Sequence, residues 1–155
     1  MPSTMNEVLA FDWGIDIVGV LDVRTGVYTA YRGKDQMVEG GKRVVFAEGS
    51  IVSFAGNSRD LPKLFELLLL EWTDSVLTAT HDDMLEITSS IRWPPNPGTG
   101  PINGDGLRAT YEYYFRDSMP PPPSGLADKY VEDNWRDCYM TAELWKKWKR
   151  GELAR

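Results

Sequence analysis

The sequence predicts an α/β domain, a mixed sheet flanked by helices, and three observations predict it. The N-terminal part alternates apolar and polar residues at the two-residue period of strands. A leucine-rich stretch opened by helix-start residues follows, and the chain closes on a long segment whose apolar residues recur every three and four positions. With 155 residues the chain can build one sizeable core and not two, so residues 1–155 are read as a single compact domain.

In "LAFDWGIDIVGV", read as one strand, Leu9, Phe11, Trp13, Ile15 and Ile17 point one way; Ala10, Asp12, Gly14, Asp16 and Val18 point the other. "VGVLDVRTGVYTAYRG" reads as a hairpin with its turn at Arg24 to Gly26 and a return strand over Val27 to Tyr31. Val44 to Phe46 and Ile51 to Phe54 are short apolar runs, the second being the third or fourth strand of the sheet. In "SRDLPKLFELLLLEWTD", Ser58 and Asp60 are cap formers, Pro62 suits a first helical turn, and leucines almost all the way round predict burial. "HDDMLEITSSI" is a short helix or a strand, which its period does not separate. "RWPPNPGTGPINGDG" and "SMPPPPSG" read as long Pro/Gly loops on either side of "LRATYEYYF", and Leu126 to Arg150 is the clearest helix.

Composition narrows the chemistry. No run approaches the roughly 20 apolar residues that cross a bilayer, so no membrane partner is expected, and "MPSTMNEVLAF" lacks the pattern of a secretory signal, so a cytoplasmic location is expected. One cysteine, Cys138, rules out an internal disulfide, and with the single His81 it leaves too few soft ligands for zinc. A bound metal would be a hard cation held by oxygen. The net charge of −6 argues against broad binding to a polyanion, although carboxylates clustered at a metal site can dominate such a count.

Three aspartates stand out. Asp12 lies on a strand face where a small α/β domain would carry valine or leucine, and a buried carboxylate is costly unless it is paired or bound to metal. On the last helix Tyr130, Asn134, Asp137, Thr141, Leu144 and Trp148 share one face, widened by Met140, with Asp137 in its middle. Asp60 follows the strand "IVSFAG" at the entrance to the leucine-rich helix. Each has a plain structural alternative, a helix cap for Asp60 and an ion pair for Asp137. Together they form a carboxylate set able to converge on divalent cations about 4 Å apart, the arrangement used for in-line phosphoryl chemistry.

"LAFDWG", "IVSFAGNSRDLPKL" and "DCYMTAELWKKWKRGEL" resemble the three motifs of the DEDD-type 3′ to 5′ exonucleases with a ribonuclease H-like fold, in order and over nearly the whole chain. In that family a first strand ends in Asp-x-Glu, a second motif resembles Asn-Gly-x-x-Phe-Asp, and a last helix carries an aspartate followed by threonine and leucine. The resemblance implies a ribonuclease H-like mixed central sheet, metal-ligating and catalytic roles for Asp12, Asp60 and Asp137, Mg²⁺ or Mn²⁺ as cofactor, and the 3′ end of single-stranded DNA or RNA as partner.

The chain departs from that pattern at named positions. Gly14 stands where the family has its first glutamate, Ala55 and Arg59 stand for the asparagine and phenylalanine of the second motif, and the family's tyrosine or histidine base falls on Asp133 or Glu132. Asp16, Glu48, Asp133 and Tyr130 are the candidate stand-ins. Three readings follow: a metal-dependent exonuclease hydrolysing phosphodiester bonds, a catalytically impaired relative that binds nucleic acid or a protein, or another small α/β domain whose aspartates are caps and ion pairs. "HDD" at His81 to Asp83 reads as a polar turn, because three neighbours on an extended segment cannot all face one ion. "WKKWKR" can be a helix terminus with its cations on the dipole, or a basic patch with stacking aromatics.

Overall fold

Strand β1 (Val8–Gly14) is the middle strand of a five-stranded sheet in the computed structural model, which describes residues 6–92, 106–116 and 119–153. Strands β2 (Ile17–Asp22) and β3 (Tyr28–Arg32) follow antiparallel on one side; β4 (Ser50–Ser53) and β5 (Thr80–Asp83) add parallel on the other, giving the order β3-β2-β1-β4-β5. Parallel neighbours need crossovers. Helix α1 (Gly33–Val45) supplies the one from β3 to β4, and α2 (Leu61–Leu67) lies in the one from β4 to β5. Helices α3 (Met84–Arg92), α4 (Leu107–Phe115) and α5 (Lys129–Lys149) complete the described chain.

The strand alternation of β1 divides the core between two faces. Leu9 and Phe11 pack with Val18, Val20, Val44, Leu64 and Phe65 beneath α1 and α2, whereas Val8 and Ala10 pack with Leu21, Val52, Cys138 and Leu144 beneath α5. Asp12, two residues past Ala10, therefore faces α5. The expected α/β architecture, a mixed sheet flanked by helices, is present. No helix among the described residues is long and apolar enough to cross a membrane.

The local differences have physical causes. "LAFDWGIDIVGV" is two strands, because the chain turns at Ile15 and Asp16 and pairs Gly14 with Ile17. Ile15 is exposed, and Asp16 meets Arg32 at 3.7 Å. The turn resets the alternation, so Asp16 does not share a face with Asp12. The usual Asn-Gly or Asp-Gly signal of a two-residue turn is missing there. Val44 is likewise not in a strand: it ends α1, a helix hidden in the sequence by Gly40 and Gly41, which weaken helices in isolation. Gly40 earns its place by packing, since a Cβ on it would lie 2.7 Å from the Tyr31 ring.

Helix α2 stops at Leu67, short of the leucine run, with Leu69 left-handed at φ 58° and exposed. In "HDDMLEITSSI" the polar start, read as a turn, is instead the end of strand β5, where pairing with β4 holds it extended, and the rest takes the helical of its two readings as α3. Those three polar residues serve structure: His81 Nε2 and Ser53 Oγ are 2.8 Å apart, Asp82 accepts from Trp145 Nε1, and Asp83 accepts from Leu85 N at the start of α3. "LRATYEYYF" is α4; most of the Pro/Gly segment before it lies outside the described residues. Helix α5 begins at Lys129, where the Asp128 carboxylate caps it by accepting from Val131 N at 3.0 Å.

Candidate functional site

The site begins with a missing side chain. Asp12 on β1 pairs in register with Gly19 on β2, and a Cβ on Gly19 would lie 1.6 Å from Asn134 Oδ1. Glycine thus admits a side chain of α5 onto the sheet. Asn134 Nδ2 reaches Asp12 Oδ2 at 3.3 Å and the Asp12 carbonyl at 3.4 Å, while its Oδ1 accepts from the Tyr28 hydroxyl at 2.6 Å. Asn134 is a buried positioning residue for Asp12. Its place on the helical face was legible in the sequence; its role was not, because it depends on a glycine in another element.

Asp60 arrives by a different route. After β4 the chain passes through Ala55, left-handed at φ 71°, into one wide π-helical turn over Gly56–Asp60 that leads into α2. The turn is tied down from β5 and β4: Asp83 accepts from Ala55 N at 2.9 Å and Asn57 N at 3.1 Å, and Ser53 Oγ at the end of β4 accepts from Gly56 N at 3.0 Å. Asp60 makes no capping hydrogen bond, and its backbone is already helical, so the cap reading is excluded. Its side chain is fully buried: Oδ1 accepts from Arg59 Nε at 2.9 Å, and Oδ2 has no partner. Arg59 also reaches across to Asp12, with Nη2 3.4 Å from Oδ1.

Asp137, one helical turn beyond Asn134 on α5, faces the same cleft as Asp12, close enough for each carboxyl to shift the other. Asp12 and Asp60 therefore meet on one guanidinium, with Asp137 beside Asp12 in the same cleft. Burial pushes the Asp60 carboxyl up to about 6, against the opposing pull of Arg59. Asp12 is raised well above the ordinary carboxylate range, first by burial and then by the charges of Asp60 and Asp137. Burial also raises Asp137. Like charges so close disfavour ionising both carboxyls together.

A cleft of about 340 Å³ opens over Asp12 and Asp137, walled by Gly14, Arg59, Tyr130 and Asn134 among others. Of the candidate stand-ins, Tyr130 and Asp133 line it, Asp133 being paired with Arg136 at 3.0 Å. Asp16 is on the turn, paired with Arg32. Glu48 precedes β4, whose Ser50 pairs with Val8, and so lies at the opposite end of β1 from Asp12. Gly14 is not an empty slot: a Cβ there would lie 2.7 Å from both the Tyr130 hydroxyl and Ile17 Cγ2. Gly14→Glu alone is expected to destabilise by about 1–3 kcal/mol through overpacking. Adding Tyr130→Ala should recover part of that loss in urea denaturation; an unchanged loss would show that Tyr130 is not the obstacle.

The donor set is carboxylate oxygen throughout, which suits Mg²⁺ or Mn²⁺. Asp60 Oδ2 is a buried acceptor in want of a partner, a feature a cation would satisfy. As the side chains stand, no group of three or more His, Cys, Asp or Glu among the described residues is gathered to hold one ion, and Arg59 lies between Asp12 and Asp60. The carboxylates fit the ion in kind, with a guanidinium in their midst.

Beside the cleft runs a larger groove of about 930 Å³, lined by Arg108, Arg116, Lys129 and Arg136 together with Glu112 and Asp133, which pair with Arg108 at 3.1 Å and with Lys129 and Arg136 at 3.5 and 3.0 Å. Asp133 borders both spaces. The other basic stretch is used differently: Lys149 lies over the rings of Trp145 and Trp148, at 5.8 and 5.2 Å, and Lys147 over Phe115 at 5.2 Å. Those aromatic rings pack against the core under α5. Comparison with protein-family models, with curated proteins and with solved structures finds no match for this chain.

Proposed function

We propose that the chain is an exonuclease-like protein of ribonuclease H-like fold that takes the 3′ end of single-stranded DNA or RNA into the carboxylate cleft and hydrolyses the terminal phosphodiester with Mg²⁺ or Mn²⁺. The observation that carries this reading is the meeting of Asp12, Asp60 and Asp137 from the first strand, a strand-to-helix turn and the last helix. These are the places from which the family resembled by the sequence draws its carboxylates. The groove next to the cleft carries four basic residues against two acidic ones, a local excess of positive charge that supports a phosphate-bearing partner despite the acidic net charge.

Asp12, Asp137 and Asp60 would hold the ion. When bound it supplies Lewis-acid polarisation of the phosphoryl oxygen and an activated water. The chain's own residues do the rest: Asn134, braced by Tyr28, fixes Asp12, and Asp83 holds the turn that delivers Asp60. Arg116, and Arg108 and Lys129 by leaving their exposed pairs with Glu112 and Asp133, would offer charge to the backbone upstream of the scissile bond.

Two specific observations favour a second reading, a relative that binds without cutting: the glutamate position is Gly14 filled over by Tyr130, and Arg59 is inserted among the carboxylates. End-labelled single strands of DNA and RNA incubated with Mn²⁺ separate the two. Hydrolysis from the 3′ end should fall in Asp12→Asn by at least the roughly 100-fold that marks even the outer partners of metal ligands. Salt-sensitive binding with no products from any strand would establish the second reading instead.

A further inference from the structure

We propose that Arg59 is the resident cation of the carboxylate site: its guanidinium holds the position between Asp12 and Asp60 that a divalent ion would occupy, so that ion binding and Arg59 contact exclude one another. This inference rests on reading the site as one that can take a metal.

Among the described residues, Arg59 is the one cation paired with Asp12 or with Asp60, and it pairs with both. The charges explain why a cation is needed. Three carboxyls lie in one small region, and Asp60 is fully buried. Its Oδ1 is satisfied by Arg59 Nε, and its Oδ2 by nothing. If Arg59 simply swung out, both oxygens of a buried carboxylate would lack a partner, a cost of several kcal/mol for an ion in low dielectric. Departure of the guanidinium is therefore tied to arrival of a proton or of another cation.

The two partners differ in freedom. The Arg59 side chain is 57% exposed and sits on a flexible stem, while that of Asp60 is 0% exposed. The carboxylate is the fixed half of the contact and the guanidinium the movable half. A phenylalanine, which the resembled motif carries at this position, could neither neutralise Asp60 nor compete for it. The arginine thus makes the apo site electrostatically self-sufficient and raises the concentration of metal needed to open it.

The test is Mn²⁺ binding to the full chain by calorimetry, with melting temperature in Mn²⁺ and in chelator as the second readout. Neither depends on nuclease activity, so an inactive protein does not decide the matter. Arg59→Gln keeps a hydrogen-bond donor for Asp60 without the charge, and Arg59→Met removes both. In each, Mn²⁺ affinity should rise at least about tenfold over the parent, as expected for removing a positive charge a few ångströms from a divalent ion. Melting temperature should rise with Mn²⁺ in both variants and hardly at all in the parent. The gain should vanish in Arg59→Gln/Asp60→Asn. Equal Mn²⁺ affinity in parent and Arg59→Gln overturns the proposal, as does a Mn²⁺-induced rise in the parent as large as in the variant. Should Arg59→Met fail to fold, Arg59→Gln alone decides.

Discussion

Gly19→Ala is expected to destabilise the protein by about 3 kcal/mol or more, toward the upper end of overpacking penalties. The added Cβ would sit 1.6 Å from Asn134 Oδ1, so either α5 lifts from the sheet or Asn134 abandons Asp12 and Tyr28. Asn134→Ala alone should cost roughly 1–3 kcal/mol, because it strands the buried side of the Tyr28 hydroxyl and removes the donor to Asp12. In the double variant the two losses should not add. With the amide gone, the alanine methyl has room, and coupling of about 1–3 kcal/mol is expected for groups in direct contact. Urea denaturation of the four proteins measures it. Simple additivity would mean that the Gly19 and Asn134 contact does not set the spacing of α5 from β2.

The second large effect is on the pH dependence of stability, and it runs opposite to ordinary acid denaturation. Asp60 titrates at about 6 in the folded state against an ordinary value of 3.8, so between those values the native state holds a proton that the unfolded chain has released. Stability then falls as pH rises. The contribution is fully present below about pH 4 and is lost as pH passes through about 6, amounting to roughly 3 kcal/mol for a group this buried. Asp12 and Asp137 are displaced in the same direction and add to the decline. Asp128 and Glu152, held low by Val131 N and by Arg150, act with the opposite sign, but only below the ordinary carboxylate range. Chemical denaturation from pH 4 to 8 in chelator should show the fall. Asp137→Asn should flatten it and be the more stable protein at pH 8, because it removes a charge pressed against Asp12. A stability that climbs from pH 4 to 7 would contradict the burial of these carboxyls.

How much of this was legible before folding differs from residue to residue. Asp12 and Asp137 could be noticed because each interrupts an apolar face with a group that is expensive to bury, and such interruptions need no knowledge of contacts. Asp60 was ambiguous, since an aspartate before a leucine-rich helix is ordinarily a cap; only its helical backbone and the absence of a capping bond remove that reading. Arg59 was visible as a departure from a motif, yet nothing in the order of residues says that a side chain next to Asp60 also reaches Asp12, 47 positions earlier. Gly14 read as a vacancy, and the Tyr130 hydroxyl over it comes from the far end of the chain.

The same division holds for the fold. The sequence by itself determined the α/β class, the hairpin of β2 and β3, the strand at Ile51, the terminal helix and the polar interruptions on its inner face, because periodicity and turn chemistry are local properties of the chain. Tertiary structure alone decided that "LAFDWGIDIVGV" bends at Ile15, that two adjacent glycines lie inside α1, and that Asp12 and Asp60 share one arginine beside Asp137. Each of those rests on groups distant in sequence: Arg32 beside Asp16, the Tyr31 ring against Gly40, and Asn134 above Gly19. Packing and electrostatic coupling at such contacts are worth more than the local propensities they override, and they exist only once the elements are brought together.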